Sequence, residues 1–221
     1  MKLSRLLEAP NQMAIEHFLS TYWKGDFFSL PEHEINSDGT VNLKQYVSFE
    51  PRTTKRGETG KLTKIPDGIK FNRTESFSIA DNVLETLEGC PSYVDGDFNC
   101  QNNKLKSFEG APSVIKSDGL FGGNLFESLH DIHKHIKQVD GSLYFVSQYS
   151  YMKRSCPIKS SVLGLLRING LQTVTLTDTR DKEHELYKVQ EIINTFLKTP
   201  DKLLECQDAL IEAGLEEFAK L

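Results

Sequence analysis

The sequence predicts a mixed α/β solenoid: short parallel strands stacked one per turn of chain, with a helix closing the start and two helices closing the end. Three observations carry this. An asparagine or glutamine returns at Asn82, Asn103, Asn124, Gln148 and Asn169, at intervals of 21, 21, 24 and 21 residues. Apolar columns keep the same register around those amides. The two ends of the chain carry apolar residues at helical spacing.

The columns are regular. Three residues before each amide lies Ile79, Cys100, Phe121, Phe145 or Leu166; two after lies Leu84, Leu105, Phe126, Ser150 or Leu171; five after lies Leu87, Phe108, Leu129, Lys153 or Val174. Pro91, Pro112 and Pro157 share a column, as do Gly89 and Gly110. The fourth unit is the weakest, with Ser150 and Lys153 in apolar columns, and its three extra residues fall in HDIHKHIKQ. The apolar-x-apolar pair predicts a short strand with alternate side chains inward. A buried asparagine amide can satisfy backbone groups where the chain leaves the strand, neighbouring asparagines forming a ladder. The leucine and the last apolar residue fill the interior. Glu-Gly-small-Pro turns the chain back, glycine being free to take positive φ and proline fixing the next φ.

The unit is clearest at 98–108, FNCQNNKLKSF, and resembles the leucine-rich repeat. The longer phrase GDFNCQNN-L-SFEGAP is similar to a short variant of that repeat in bacterial and tailed-phage proteins, over about residues 62–176. The opening MKLSRLLE and the ending IEAGLEEFAKL resemble small early proteins of T-even-type phages. The resemblance implies a leucine-rich-repeat-like solenoid and a non-enzymatic protein-binding role. It also implies an anti-defence or host-takeover setting in the cytoplasm of an infected bacterium, where the partner is a host protein such as a toxin or nuclease.

In chain order, residues 1–33 form an N-terminal helical cap: Met13, Ile15, Phe18, Leu19 and Trp23 have helical spacing after a Pro10-Asn11 start signal. Residues 34–64 hold an irregular first repeat or a hairpin, with Val41 and Leu43 alternating beyond Asp38-Gly39, followed by an exposed basic loop. Residues 65–180 form the repeat body. Residues 181–221 carry two helices, one with Leu186, Val189, Ile192, Ile193 and Phe196, the next with Leu203, Leu204, Cys206, Leu210, Ile211, Leu215 and Phe218. Stacked repeats expose a raw core edge, so these helices are expected to cover it.

Composition excludes several function classes. The chain has 221 residues, 38% hydrophobic and 26% charged, as in ordinary globular proteins. No apolar run approaches the length of a membrane span. The first residues lack the apolar stretch of a signal peptide, His17 and Glu16 standing where it would be. A net charge of -5 argues against general nucleic-acid binding. Cys90, Cys100, Cys156 and Cys206 show no CxxC pairing and are expected to be reduced thiols in a cytoplasm.

Motifs for chemistry are sparse. DGDFNCQNNKLK from Asp95 mimics a calcium loop at its first, third and fifth positions, but Cys100 and Lys106 stand where glycine and a bidentate acid are needed. HELYK at His184 lacks the second histidine of a zinc-protease helix, and Gly122-Gly123-Asn124 lacks the lysine of a phosphate loop. No cofactor is implied. His130, His133 and His135 are the one cluster that could serve a metal-dependent enzyme, with a polar surface turn held by Ile132 and Ile136 as the plain alternative. Arg52, Lys55, Arg56, Lys61 and Lys64, in the basic loop 52–64, could touch phosphates, as in a nucleic-acid-binding protein, or an acidic protein, or form a solvated loop.

The outward strand positions predict the binding surface. They run from Ser76, Ser78 and Ala80 through Asp97, Asn99 and Gln101 to Asp118, Leu120 and Gly122, then Ser142, Tyr144 and Val146, and last Leu163, Leu165 and Arg167. The candidate protein-binding set is Asp97, Asn99, Asp118, Leu120, Tyr144, Val146, Leu163, Leu165 and Arg167, because aromatic, aliphatic and arginine side chains together compose interface cores. Two readings of the apolar end stand side by side: it faces a partner, or the C-terminal helices bury it.

Overall fold

A computed structural model describes residues 4–23, 29–51, 53–54, 57–58, 60–147, 154–178, 180, 182, 184–199 and 201–221. The chain begins with helix α1 (Ser4–Tyr22), which starts earlier than the Pro10-Asn11 signal implies and buries Ile15, Phe18 and Leu19 while leaving Met13 71% exposed. Strands β1 (His33–Ile35), β2 (Val41–Leu43) and β3 (Val47–Ser48) follow, then a small hairpin of β4 (Thr53–Thr54) and β5 (Gly57–Glu58). Next come β6 (Phe71–Thr74), β7 (Phe77–Ser78), β8 (Tyr93–Val94), β9 (Phe98–Asn99), β10 (Val114–Ile115) and β11 (Gly119–Leu120). The short helix α2 (Ile132–His135) leads to β12 (Gln138–Val139) and β13 (Ser142–Tyr144). A 3-10 helix (Leu163–Arg167), β14 (Thr173–Thr175) and helices α3 (Glu185–Leu197) and α4 (Leu203–Glu212) complete the chain.

The result is a mixed α/β architecture with two six-stranded, parallel-rich sheets. One runs β1-β2-β6-β8-β10-β12 and the other β3-β7-β9-β11-β13-β14. Only β1 and β2 pair antiparallel within them, around Gly39 at φ 81, so residues 34–64 contribute both a hairpin and a first pair of sheet strands. Each passage from β2 and β3 to β12 and β13 lays one short strand in each sheet, and the last adds β14 to the second sheet alone. Across the second sheet Val47, Phe77, Phe98, Gly119, Leu143 and Val174 are partners in turn, so successive passages are 30, 21, 21, 24 and 31 residues long.

Volume is shared within each passage. Phe98 stands beside the small Cys100, whereas Gly119 makes room for Phe121: a Cβ on Gly119 would lie 2.6 Å from Leu143 Cδ2 and 2.9 Å from Phe121 Cε2. The rings of Phe49, Phe77, Phe98, Phe121 and Phe145 form a continuous buried column, with centroid spacings of 5.6, 6.2, 5.7 and 5.9 Å. Such pairs add about 0.5–1.5 kcal/mol each beyond area burial.

The asparagine ladder forms at three rungs. Asn103 donates to the carbonyls of Ile79, Cys100 and Gln101 at 3.0, 3.0 and 3.2 Å, and its Oδ1 accepts from Leu84 N at 2.9 Å. Asn82 serves Phe49, Ile79, Ala80 and Leu62 alike, and Asn124 serves Cys100, Phe121 and Leu105. The residue before each rung is left-handed: Asp81 (φ 59), Asn102 (φ 55) and Gly123 (φ 72). Asx and glycine residues tolerate that conformation best.

The last predicted unit is out of phase. Gln148 lies outside the described residues, and Asn169 is exposed and bridges Gln138 at the edge of the first sheet rather than extending the ladder. Residues 163–167, expected to be a strand, form the 3-10 helix, and the strand of that passage is β14. The physical reason is length: a 31-residue passage leaves room for a helical turn whose leucines point into the core.

Helix α3 closes the open edge of β14 through side-chain amides. Val174 N–H donates to Asn194 Oδ1 at 2.7 Å, Asn194 Nδ2 returns a bond to Val174 O at 2.9 Å, and Gln190 Oε1 accepts from Leu176 N at 2.8 Å. Unpaired edge groups are a template for aggregation, so this is a cap in the energetic sense. Asn194→Leu is expected to cost about 1–3 kcal/mol, the range for leaving buried backbone groups unpaired, and to raise aggregation on heating. Thermal unfolding with light scattering would check both.

Candidate binding surface

The outer row of the second sheet is Ser78, Asn99, Leu120, Tyr144 and Thr175, fixed by strand pairing. At its β3 end the row sinks into a groove of about 460 Å³ lined by Tyr46, Glu50, Ser76, Ser78, Asp81, Asp97, Asn99, Gln101, Asn102 and Leu120, with Phe77 and Ala80 beneath. The groove thus brings together three predicted residues, Asp97, Asn99 and Leu120. Tyr46 and Glu50 were not foreseen, because the 30-residue first passage does not share the 21-residue period. Asp81 and Asn102 were not foreseen either, because strand alternation says nothing about residues in the following left-handed turn.

Internal bonds order this surface. Ser78 Oγ donates to Glu50 Oε1 at 2.6 Å, and Asn102 Nδ2 donates to Asp81 Oδ1 at 2.9 Å. A second series runs along the corner between the sheets. Asp97 N–H donates to Ser76 Oγ at 3.0 Å, Asp118 N–H to Asp97 Oδ1 at 3.1 Å and Ser142 N–H to Asp118 Oδ1 at 2.8 Å. Asp97 and Asp118 therefore hold the turn as well as lending charge. Among the described residues the lining contains three carboxylates (Glu50, Asp81, Asp97) and no lysine, arginine or histidine. Tyr46 is 54% exposed at its rim and Leu120 is 7% exposed at its floor.

The outer face of the first sheet contrasts with this, because its charges satisfy one another. Arg73 makes a two-pronged bond to Asp95 at 2.6 Å for each prong and lies 4.6 Å over the Tyr93 ring, and Lys116 pairs with Asp140 at 2.9 Å. Both oxygens of Asp95, first position of the calcium-like phrase, are thus taken by a cation. Asn72 donates to Asn42 and Asn42 to Asn36, each at 3.0 Å.

The other predicted site residues lie elsewhere. Leu163 and Leu165 are buried at 1% and 0% exposure in the 3-10 helix, packed with α3 and α4; they are core, not sheet face. Val146 is buried, bridges Ser155 and packs on Gly122. Tyr144 is half-buried beyond Leu120, outside the groove lining, and Asp118 stands at the corner. Arg167 is exposed at the far end, where its Nη1 donates to His133 Nε2 at 3.5 Å. The C-terminal residues thus bury most of the apolar end: Ser161 N–H and Val162 N–H donate to Glu217 O and Phe218 O, and Ser161 Oγ donates to Lys220 O.

His133 is committed to structure, while His135 is half-buried in α2. Arginine only donates, so His133 Nε2 accepts and its Nδ1–H donates to His130 O at 3.0 Å. Burial holds the His133 pKa below its ordinary value, which favours this neutral form. Ser161, His130 and Asp131 approach one another, with Ser161 Oγ 3.4 Å from His130 Nδ1 and His130 Nε2 3.5 Å from Asp131. The hydroxyl proton of Ser161 is already given to Lys220 O and the side chain is buried, so no activated nucleophile results. Among the described residues no three His, Cys, Asp or Glu side chains converge to hold a metal. The four cysteines are buried; burial pushes the thiols of Cys156 and Cys206 up to about 12 and pushes those of Cys90 and Cys100 up as well. In the basic loop Arg52, Lys55 and Arg56 lie outside the described residues, Lys61 is exposed and Lys64 pairs with Asp67.

The chain matches no protein-family model, no curated protein and no solved structure. No described helix is long and apolar enough to cross a membrane.

Proposed function

We propose that the chain is a non-catalytic protein-binding module, a short leucine-rich-repeat-type solenoid whose working surface is the acidic groove, and that it captures a cationic segment of a protein partner. The observation that carries this is the sign of the lining: among the described residues it sets three carboxylates and amide groups around an apolar floor and includes no cation. A lysine or arginine entering the groove would meet Asp81 and Asp97, and the exposed face of Tyr46 would offer a cation–π contact. The net charge of -5 would speed encounter with a basic surface. A host bacterial protein with a basic working surface, such as a nuclease or toxin, fits this chemistry.

The test uses variants that remove charge and keep the bonds, Asp81→Asn with Asp97→Asn, since an asparagine Oδ1 still accepts from Asn102 and from Asp118 N–H. A partner captured stoichiometrically from bacterial lysate by the wild type is expected to bind the double variant about tenfold or more weakly, with the circular dichroism unchanged. Equal capture by a folded variant would remove the groove from the account.

A further inference from the structure

At the opposite end of the second sheet, the 3-10 helix, the segment 168–172 and the α3–α4 turn enclose a second cleft of about 800 Å³. That volume lies in the range of small-molecule sites, roughly 300–1,000 Å³. Its charge is opposite to that of the groove. Arg167, Lys198 and Lys202 line it against one carboxylate, Asp201. Lys202 is paired with Glu205, but Arg167 and Lys198 have no carboxylate within 4.0 Å among the described residues. Arg167 is held from behind by neutral His133, which leaves its other N–H groups to the cleft. The floor is apolar: Leu166, Phe196, Leu197 and Leu203 are half-buried and face the same space.

We propose that this cleft binds a small organic anion, its carboxylate, phosphate or sulfonate paired with Arg167 and Lys198 and its apolar body laid on Leu166, Phe196 and Leu203. A bare inorganic anion would leave that floor in water, and an uncharged apolar ligand would leave the two cations without a counterion. A nucleic acid needs a longer basic track than three cations on a chain of net charge -5. The site is independent of the acidic groove and does not rest on it.

Titration with anilinonaphthalenesulfonate, an aromatic body bearing one sulfonate, reads the site by fluorescence. The wild type is expected to show one saturable site per chain, weakened by salt, and Arg167→Gln with Lys198→Gln is expected to weaken it about tenfold. Both residues are exposed, so an unchanged thermal midpoint confirms the variant's fold. Displacement of the dye by decanoate assigns an aliphatic ligand, and by adenosine monophosphate a nucleotide-like one. The absence of a saturable site, equal binding by the folded double variant, equal displacement by inorganic phosphate, displacement by neither organic competitor, or preference for an acidic peptide over both would each overturn the proposal.

Discussion

Asn103→Leu is expected to destabilise the protein by about 3–5 kcal/mol. The amide is buried, donates to three carbonyls from two passages and accepts from Leu84 N–H. Leucine is close in volume, so the loss is polar: one backbone N–H and several carbonyls are stranded in the interior, at about 1–3 kcal/mol for each group left without water. Asn103→Asp separates the two halves of the role. A carboxylate still accepts from Leu84 but cannot donate, and its charge would stand among carbonyl oxygens, so it is expected to be at least as damaging at neutral pH. Urea denaturation would check both. A loss under about 1 kcal/mol for either would mean the ladder is ornamental and the apolar columns alone set the repeat.

Gly122→Ala is expected to cost about 3 kcal/mol or more, or to prevent folding. A Cβ there would lie 2.1 Å from Val146 C, 2.2 Å from Ser147 N and 2.4 Å from Val146 O. These are backbone atoms of the next passage and cannot rotate away, so relief requires separating the two turns of chain. Gly119→Ala is the internal comparison. Its Cβ would meet the ends of Leu143 and Phe121 side chains, at 2.6 and 2.9 Å, which can shift, so a cost of about 1–2 kcal/mol is expected. Equal costs at the two positions would show that the chain can part at Val146 as easily as a side chain can move.

Much of the fold was legible because its strongest signals are strictly periodic. Ile79, Cys100, Phe121 and Phe145 are buried as their column requires, and Asn82, Asn103 and Asn124 form the rungs. The last passage was misread because Leu166, Leu171 and Val174 happen to fall at the expected offsets from Asn169, which put Leu163 and Leu165 on the outward columns. A leucine-rich run this short suits a strand of period 2 or a single 3-10 turn, so the residues alone did not separate them. The same ambiguity decided the site. Asp97, Asn99 and Leu120 were found because strand alternation defines an outward face, whereas Leu163, Leu165 and Val146 were assigned outward and are buried. The bonds that Asp97 and Asp118 make to backbone N–H groups were invisible, since they depend on how closely successive corners stack.

The claim that the acidic groove is the working surface is tested most directly by hydroxyl-radical footprinting of the protein alone and in complex with its captured partner. Tyr46 is 54% exposed at the groove, while Met13 on α1 and Leu204 on α4 are 71% and 65% exposed away from it. The account predicts that oxidation of Tyr46 falls sharply in the complex while Met13 and Leu204 react as before. Unchanged oxidation of Tyr46, with protection at Leu204 or Met13 instead, would contradict it and move the interface to a terminal helix.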